Sequence, residues 1–418
     1  MNMKPSMGKV FIGFDNIASQ IGDIKDSLYH DHGIESITAI RNANSKIVSN
    51  TKIDYNISRL KARVPLFKPR RISYPLKTWW EKRIDDKIWE RALNECDAFI
   101  FFVNSFKPDH SDYKLLKDKG KKIIHVFVGD DARWYNAMKQ EFESYGKRPI
   151  EYEDQYNLTF EFLKSTVRRI RMAEKYCDAV FSRVDQGQIE LRPYHRWNMM
   201  VRPSQFKINT TQREKKPVVV HAPSSSSFKG TRFILKAIEE LRTEIDFEFQ
   251  LIQNVSFEKA VKMYQECDIL IDQVLCPGSG KLATEALASG KIVLSLMNYE
   301  KYPQKNPEDC PIIDVDPDNL KEKLKTLINN FEFRKTHALK GRPYVEKYLD
   351  VKYFTAKVKS IMSSEKLEYD YRPEFFREKY VPVSKEETDL FNLWNNEMKN
   401  ENWYKEFVAP GERAGLVF

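Results

Sequence analysis

VLCPGSGKLATEALASGK, residues 274–291, sets a Gly-Ser-Gly turn directly before a lysine, with one glutamate in the apolar stretch that follows. The apolar run 269–274 reads as a buried strand, and 281–289 as the helix into which the turn opens. A helix start carries free backbone N–H groups and the positive end of the helix dipole, so Lys281 is unfavourable there by a few tenths to about 1 kcal/mol. An anion on the turn would offset that repulsion, because Gly278, Ser279 and Gly280 let it approach the free N–H groups. Leu282, Ala283, Ala286 and Leu287 form the expected buried stripe, and Lys281, Glu285 and Ala288 the opposite one. Glu285 then stands one turn behind a phosphate, where a carboxylate accepts ribose hydroxyls. The plainer reading is a solvated Lys281–Glu285 pair in the weaker of the two i,i+4 orientations.

A second loop has the same character. In VVVHAPSSSSFKGTRFILKAIEEL (218–241) a buried strand opens into a serine run, and Lys229-Gly230 precedes Thr231, the expected N-cap. The spacing is not that of a Walker A loop. Alone, it reads as a serine-rich surface turn. Two such loops in successive strand–helix units, each with a lysine at a helix start, point together to a nucleoside diphosphate.

Outward from these loops, strand-like and helix-like segments alternate, the pattern of parallel sheets with covering helices. Strands are expected at 8–14, 34–40, 98–103, 122–128, 179–181, 218–222, 247–253, 269–274, 292–296 and 311–315. Helices are expected between them, with a long one at 333–362. Residues 202–217, polar and closed by proline, read as a linker. The expected fold class is α/β, with two Rossmann-like domains facing across a cleft, 1–205 and 206–350. A C-terminal helix and tail, 351–418, return to the first. That tail is aromatic, with Trp394 and Trp403, and needs burial.

At 418 residues the chain is long enough for two cores. No apolar run approaches the roughly 20 residues needed to cross a bilayer, and the N-terminus lacks the pattern of a signal peptide. The five cysteines show no metal spacing. The cytoplasm is therefore the expected compartment. The net charge of +9 is concentrated in 59–83, RLKARVPLFKPRRISYPLKTWWEKR, where Phe67, Tyr74, Trp79 and Trp80 interleave the basic residues. Such a mixture suits a peripheral contact with the inner face of a membrane better than a nucleic-acid groove, and no nucleic-acid partner is expected. A solvated basic helix and loop is the plainer alternative.

The segments HAPSSSSFKGTRFILKAIEEL and ECDILIDQVLCPGSGKLATEALASGKIVL resemble the donor half of GT-B glycosyltransferases of the retaining family-4 type. GDDAR, 129–133, is similar to a G-x-D-x-R stretch of polysaccharide-building members. The resemblance implies a UDP- or GDP-sugar donor, a saccharide or lipid-linked acceptor, and no required metal or other cofactor. It implies that Lys229 and Gly230 hold donor phosphate, that Gly278, Ser279, Gly280 and Lys281 shape the pyrophosphate loop, and that Glu285 takes the ribose. Asp131 and Arg133 are the matching candidates for sugar or acceptor contact; an Asp–Arg pair capping the next helix is the alternative. Pro277 stands where the family has a second glutamate, and only serines, 224–227, stand where it has an arginine several residues before Lys229. A catalytically degenerate nucleotide- or glycan-binding partner, a basic nucleic-acid-binding protein and an epimerase are the competing functions. Among the histidines, His125 reads as core, His221 as packed at a strand end, and His110 as a surface loop residue.

Overall fold

The computed structural model describes residues 8–41, 52–62, 70–253, 257–299 and 308–409. The chain divides into two compact units. The first comprises 1–137, 158–197 and 354–418, the second 138–157 and 198–353.

The first unit is built on seven parallel strands: β1 (Lys9–Phe14), β2 (Ser36–Ile40), β3 (Tyr55–Asn56), β4 (Cys96–Phe102), β5 (Lys122–Val126), β6 (Ala179–Ser182) and β7 (His195–Arg196). Their order is β3-β2-β1-β4-β5-β6-β7. Segments such as KVFIGF, CDAFIFF and AVFS are buried almost throughout because parallel strands are covered on both faces. β3 and β7, of two residues each, are too short to leave a periodic signal.

The second unit has five parallel strands, β8 (Val218–His221), β9 (Glu248–Leu251), β10 (Ile269–Ile271), β11 (Ile292–Ser295) and β12 (Ile313–Asp314). Their order is β12-β11-β10-β8-β9. The Cys-Asp pairs at helix–strand corners tie neighbouring strands together. The Asp178 amide donates to Ile123 O at 2.8 Å, and its carboxylate takes the Ile123 amide back at 2.8 Å. Asp268 does the same with Val218, at 2.9 and 2.8 Å. The preceding thiols of Cys177 and Cys267 are buried, and burial pushes that of Cys267 up to about 12.

Three expectations need correction. The helix expected over 333–362 is broken into Phe331–His337, Gly341–Tyr344, a π-turn at Val345–Leu349 and Val351–Met362. Asp350 is extended (φ −74°, ψ 129°) because Val201 bridges its neighbours, donating to Leu349 O at 3.0 Å and accepting from the Val351 amide at 2.9 Å. Residues 138–157, expected in the first domain, cluster with the second unit. His110 is not a surface residue: it is 1% exposed, packed against Tyr113 and His125. The C-terminal segment returns to the first unit, where Phe376, Tyr380, Phe391 and Met398 join its core.

Candidate functional site

In the second sheet β8 lies between β9 and β10, so the chain leaves β8 toward one side and comes back on the other. The loops after β8 and β10 therefore diverge at their carboxyl ends, the position at which open α/β sheets leave a crevice. These are the two loops singled out above.

They interlock on one carboxylate. Lys229 closes the short helix Ser226–Lys229 and is 8% exposed. Its ammonium lies 2.5 Å from Oδ1 of Asp272, just past the end of β10. The Gly280 amide donates to Oδ2 of the same residue at 2.7 Å. The backbones meet as well: the Val274 amide donates to Lys229 O at 3.0 Å. Gly230 sits at φ +75°, and a Cβ there would lie 2.6 Å from Val274 Cγ2. Only glycine fits that joint.

The glycine turn is braced from below. Gln273 Nε2 donates to Cys276 O at 2.9 Å and Gly278 O at 3.1 Å, and Ser295 Oγ donates to Gly278 O at 2.8 Å. Gly278, at φ +88°, donates its amide to Leu296 O at 2.7 Å. Gly278, Ser279, Gly280 and Lys281 keep part of their surface open, whereas Pro277 is buried.

The lysines are neutralised differently from the reading above. Asp272 balances Lys229, and Lys281 Nζ donates to the Met200 carbonyl at 2.7 Å. Asp272 makes the charge of Lys229 tolerable without a guest. The two-sided stripe also needs correction: Ala288 is fully buried and Leu282 part-exposed. The helix Lys281–Ala288 is covered on a second side by Gly341, where an added Cβ would meet Leu287 O at 2.8 Å. Glu285 is 6% exposed, and its Oε2 accepts from the Tyr264 hydroxyl at 2.7 Å.

His221, at the end of β8, links Ile271 O (2.8 Å) to Thr231 Oγ1 (2.9 Å). Burial holds its pKa down at about 4, so it is a neutral brace at pH 7. Residues 147–153 lie against this same end of the unit. Lys147 pairs with Asp316 at 2.5 Å, Glu153 accepts from Ser227 Oγ at 2.9 Å, and Glu151 pairs with Arg232.

In the first unit the 129–133 loop follows β5. The Asp131 carboxylate accepts the amides of Val128 (3.0 Å) and Gly129 (2.7 Å), closing the loop on itself. Burial raises its pKa to about 6, opposed by nearby Arg169. Arg133, 2% exposed, donates to Asp130 at 2.5 Å and lies 3.6 Å from Asp185. The structure thus joins Lys229 and Gly280 through Asp272, sets Gly230 against Val274, and holds Asp131 and Arg133 in a separate loop of the other unit. Asp272, Gln273 and Ser295 were missed by sequence reasoning. Their one signal is the Asp-Gln pair closing the apolar run ILI. Among the described residues no three His, Cys, Asp or Glu side chains gather as a metal site requires.

No protein-family model matches the chain, nor does any curated protein sequence. Solved structures do. Sucrose-phosphate synthase from Thermosynechococcus elongatus is similar over 85% of this chain and 98% of its own, at 9% identity and a TM-score of 0.53. Anabaena HepE in complex with UDP-glucose is similar over 85% and 99%, at 11% identity and a TM-score of 0.51. HepE with UDP and glucose gives 86% and 100%, 11% and 0.50. At such identities the likeness is one of fold, and the fold is α/β of the GT-B type, with two Rossmann-like domains.

Proposed function

We propose that the protein is a glycosyltransferase that moves a sugar from a UDP- or GDP-sugar to a cell-surface glycan or lipid-linked saccharide, in the manner of the retaining family-4 enzymes it resembles. One observation carries the reading. A lysine ammonium and a glycine-turn amide, from loops on either side of a sheet's switch point, are brought to a single spot. A lysine ammonium and the N–H groups of a glycine turn are the kinds of donor that take up negative charge on a departing diphosphate, and losing one such donor typically costs about 3–4 kcal/mol of barrier. HepE, of the same fold, is a protein crystallised with UDP and glucose and with UDP-glucose.

In this reading Lys229 and the 278–281 turn hold the diphosphate, and Glu285, oriented by Tyr264, takes the ribose hydroxyls. The 129–133 loop serves the acceptor. Arg133 gives that loop its shape through Asp130, and Asp131 closes it on the amides of Val128 and Gly129. The test is thermal stability against a panel of nucleoside diphosphates. At a concentration 100-fold above the dissociation constant the bound ligand adds about 2.7 kcal/mol. Glu285→Ala removes the gain. A folded protein indifferent to the whole panel would refute the proposal.

A second reading has one observation in its favour. Asp272 already cancels the charge of Lys229, as would suit a nucleotide-binding partner without transfer chemistry. Donor-hydrolysis assays separate the two. For the acceptor side we place the protein peripherally at an anionic membrane through 59–83, which holds nine basic residues against one acidic. Trp79 and Trp80 there are 47% and 52% exposed. Among the described residues no helix is long and apolar enough to cross a membrane.

A further inference from the structure

We infer that Asp272 is a positioning residue, a clamp whose two carboxylate oxygens fix Lys229 and the Gly280 amide relative to each other before any ligand arrives. The inference rests on the donor reading above for its purpose, but not for its geometry.

Asp272 is 1% exposed and follows the last residue of β10, where its own amide donates to Leu294 O at 2.9 Å. Its backbone is thus pinned by the sheet, and its side chain reaches up into the divergence of the two loops. Oδ1 meets the Lys229 ammonium at 2.5 Å, and Oδ2 meets the Gly280 amide at 2.7 Å. A single atom added at Gly280 would press on Asp272 Oδ2 at 3.2 Å and touch Lys229 Nζ at 3.5 Å. Lysine has four rotatable bonds and a glycine turn has wide backbone freedom. The lysine holds no fixed place by itself, and the braces from Gln273, Ser295 and Leu296 reach the turn at Cys276 and Gly278, short of the Gly280 amide. One carboxylate takes one donor from each, whereas an asparagine offers a single acceptor oxygen and must release one of them. The same carboxylate is a negative charge beside a phosphate site. Removing a mere bystander anion would therefore tighten anion binding, and removing a clamp loosens it.

Isothermal titration with UDP reads that sign directly. Asp272→Asn should weaken UDP binding about tenfold, the scale of one displaced hydrogen bond to a charged group. Unchanged or tighter binding overturns the clamp. Hydrogen exchange of the 276–282 segment without ligand supplies a second reading, in the wild type, Asp272→Asn, Lys229→Met and the double variant. Each single substitution should speed exchange there, with the double no faster than the faster single. The double leaves no buried charge unpaired, so it remains measurable if a single variant unfolds. Additive effects, or none, overturn the inference. If the wild type binds neither UDP nor GDP, the donor reading fails, and the exchange data still decide the clamp.

Discussion

Trp134 Nε1 donates to the carboxylate of Glu387 at 2.9 Å, across 253 residues of sequence. The same buried carboxylate accepts from Asn136 Nδ2 at 3.0 Å, the Tyr380 hydroxyl at 2.7 Å and the Val383 amide at 3.0 Å. Ser384 caps the C-terminal helix by accepting the Glu387 amide at 3.2 Å. Glu387 thus fastens the helix that Ser384 caps to the residue after Arg133. Glu387→Gln keeps one acceptor oxygen for four donors and should cost about 2–4 kcal/mol in denaturant unfolding. A loss below about 0.5 kcal/mol would remove the carboxylate from this role.

Gly230→Ala combines a left-handed backbone (φ +75°) with a Cβ placed 2.6 Å from Val274. Gly120 is left-handed too, at φ +70°, but has open space around its would-be Cβ. Gly120→Ala should cost about 1–2 kcal/mol from the backbone alone, and Gly230→Ala about 1–3 kcal/mol more. Equal melting shifts for the two variants would contradict the interlocked loops.

Asp131 and the buried histidines give opposite pH signatures. Burial lifts Asp131 from the ordinary 3.8 to about 6, so the folded state binds the proton more tightly. Its contribution to stability is greatest below about 4 and falls as pH rises through 6. Asp131→Asn should therefore gain on the wild type by roughly 2 kcal/mol between pH 4 and 7. A difference that does not move with pH would show that the carboxylate is not strained by burial.

His195 and His221 are held down at about 4 and His110 at about 3, each chiefly by burial. The unfolded chain takes up those protons first, near 6.5. Their contribution is complete above that pH and is lost as pH falls toward 4. Unfolding between pH 6.5 and 4.5 should consume protons, and His221→Gln should lower that uptake by about one. Calorimetry in buffers of different ionisation enthalpy counts them, and an unchanged count would mean His221 is not buried neutral.

Trp79 and Trp80 stand exposed on the helix Arg70–Glu95, with Arg83 stacked over Trp79 at 4.4 Å. If this face meets lipid, flotation with phosphatidylserine vesicles should exceed that with neutral vesicles and fall with salt. Replacing both tryptophans by serine should lower it several-fold. Recovery that ignores lipid charge would leave the face merely solvated.

Much of the fold was legible because parallel strands, buried on both faces, appear as plain apolar runs: 98–103 gives β4, and 269–274 contains β10. The two loops were legible because glycine and lysine leave a local mark. Asp272 was not. Nothing in ILIDQV tells whether its aspartate faces water or a lysine 43 residues away. The break at Asp350 depends likewise on Val201, and the docking of 138–157 on Asp316, Ser227 and Arg232. Long-range partners decide such features, and local pattern does not carry them.

The division of the chain into 1–137, 158–197 and 354–418 on one side, and 138–157 and 198–353 on the other, has a consequence during synthesis. Neither half can be cut out as one continuous stretch. The ribosome releases the first seven strands long before Glu387, the residue that fastens Trp134, has been made. The N-terminal core must therefore wait, incomplete and with its apolar flank uncovered, until the residues around Glu387 have been made.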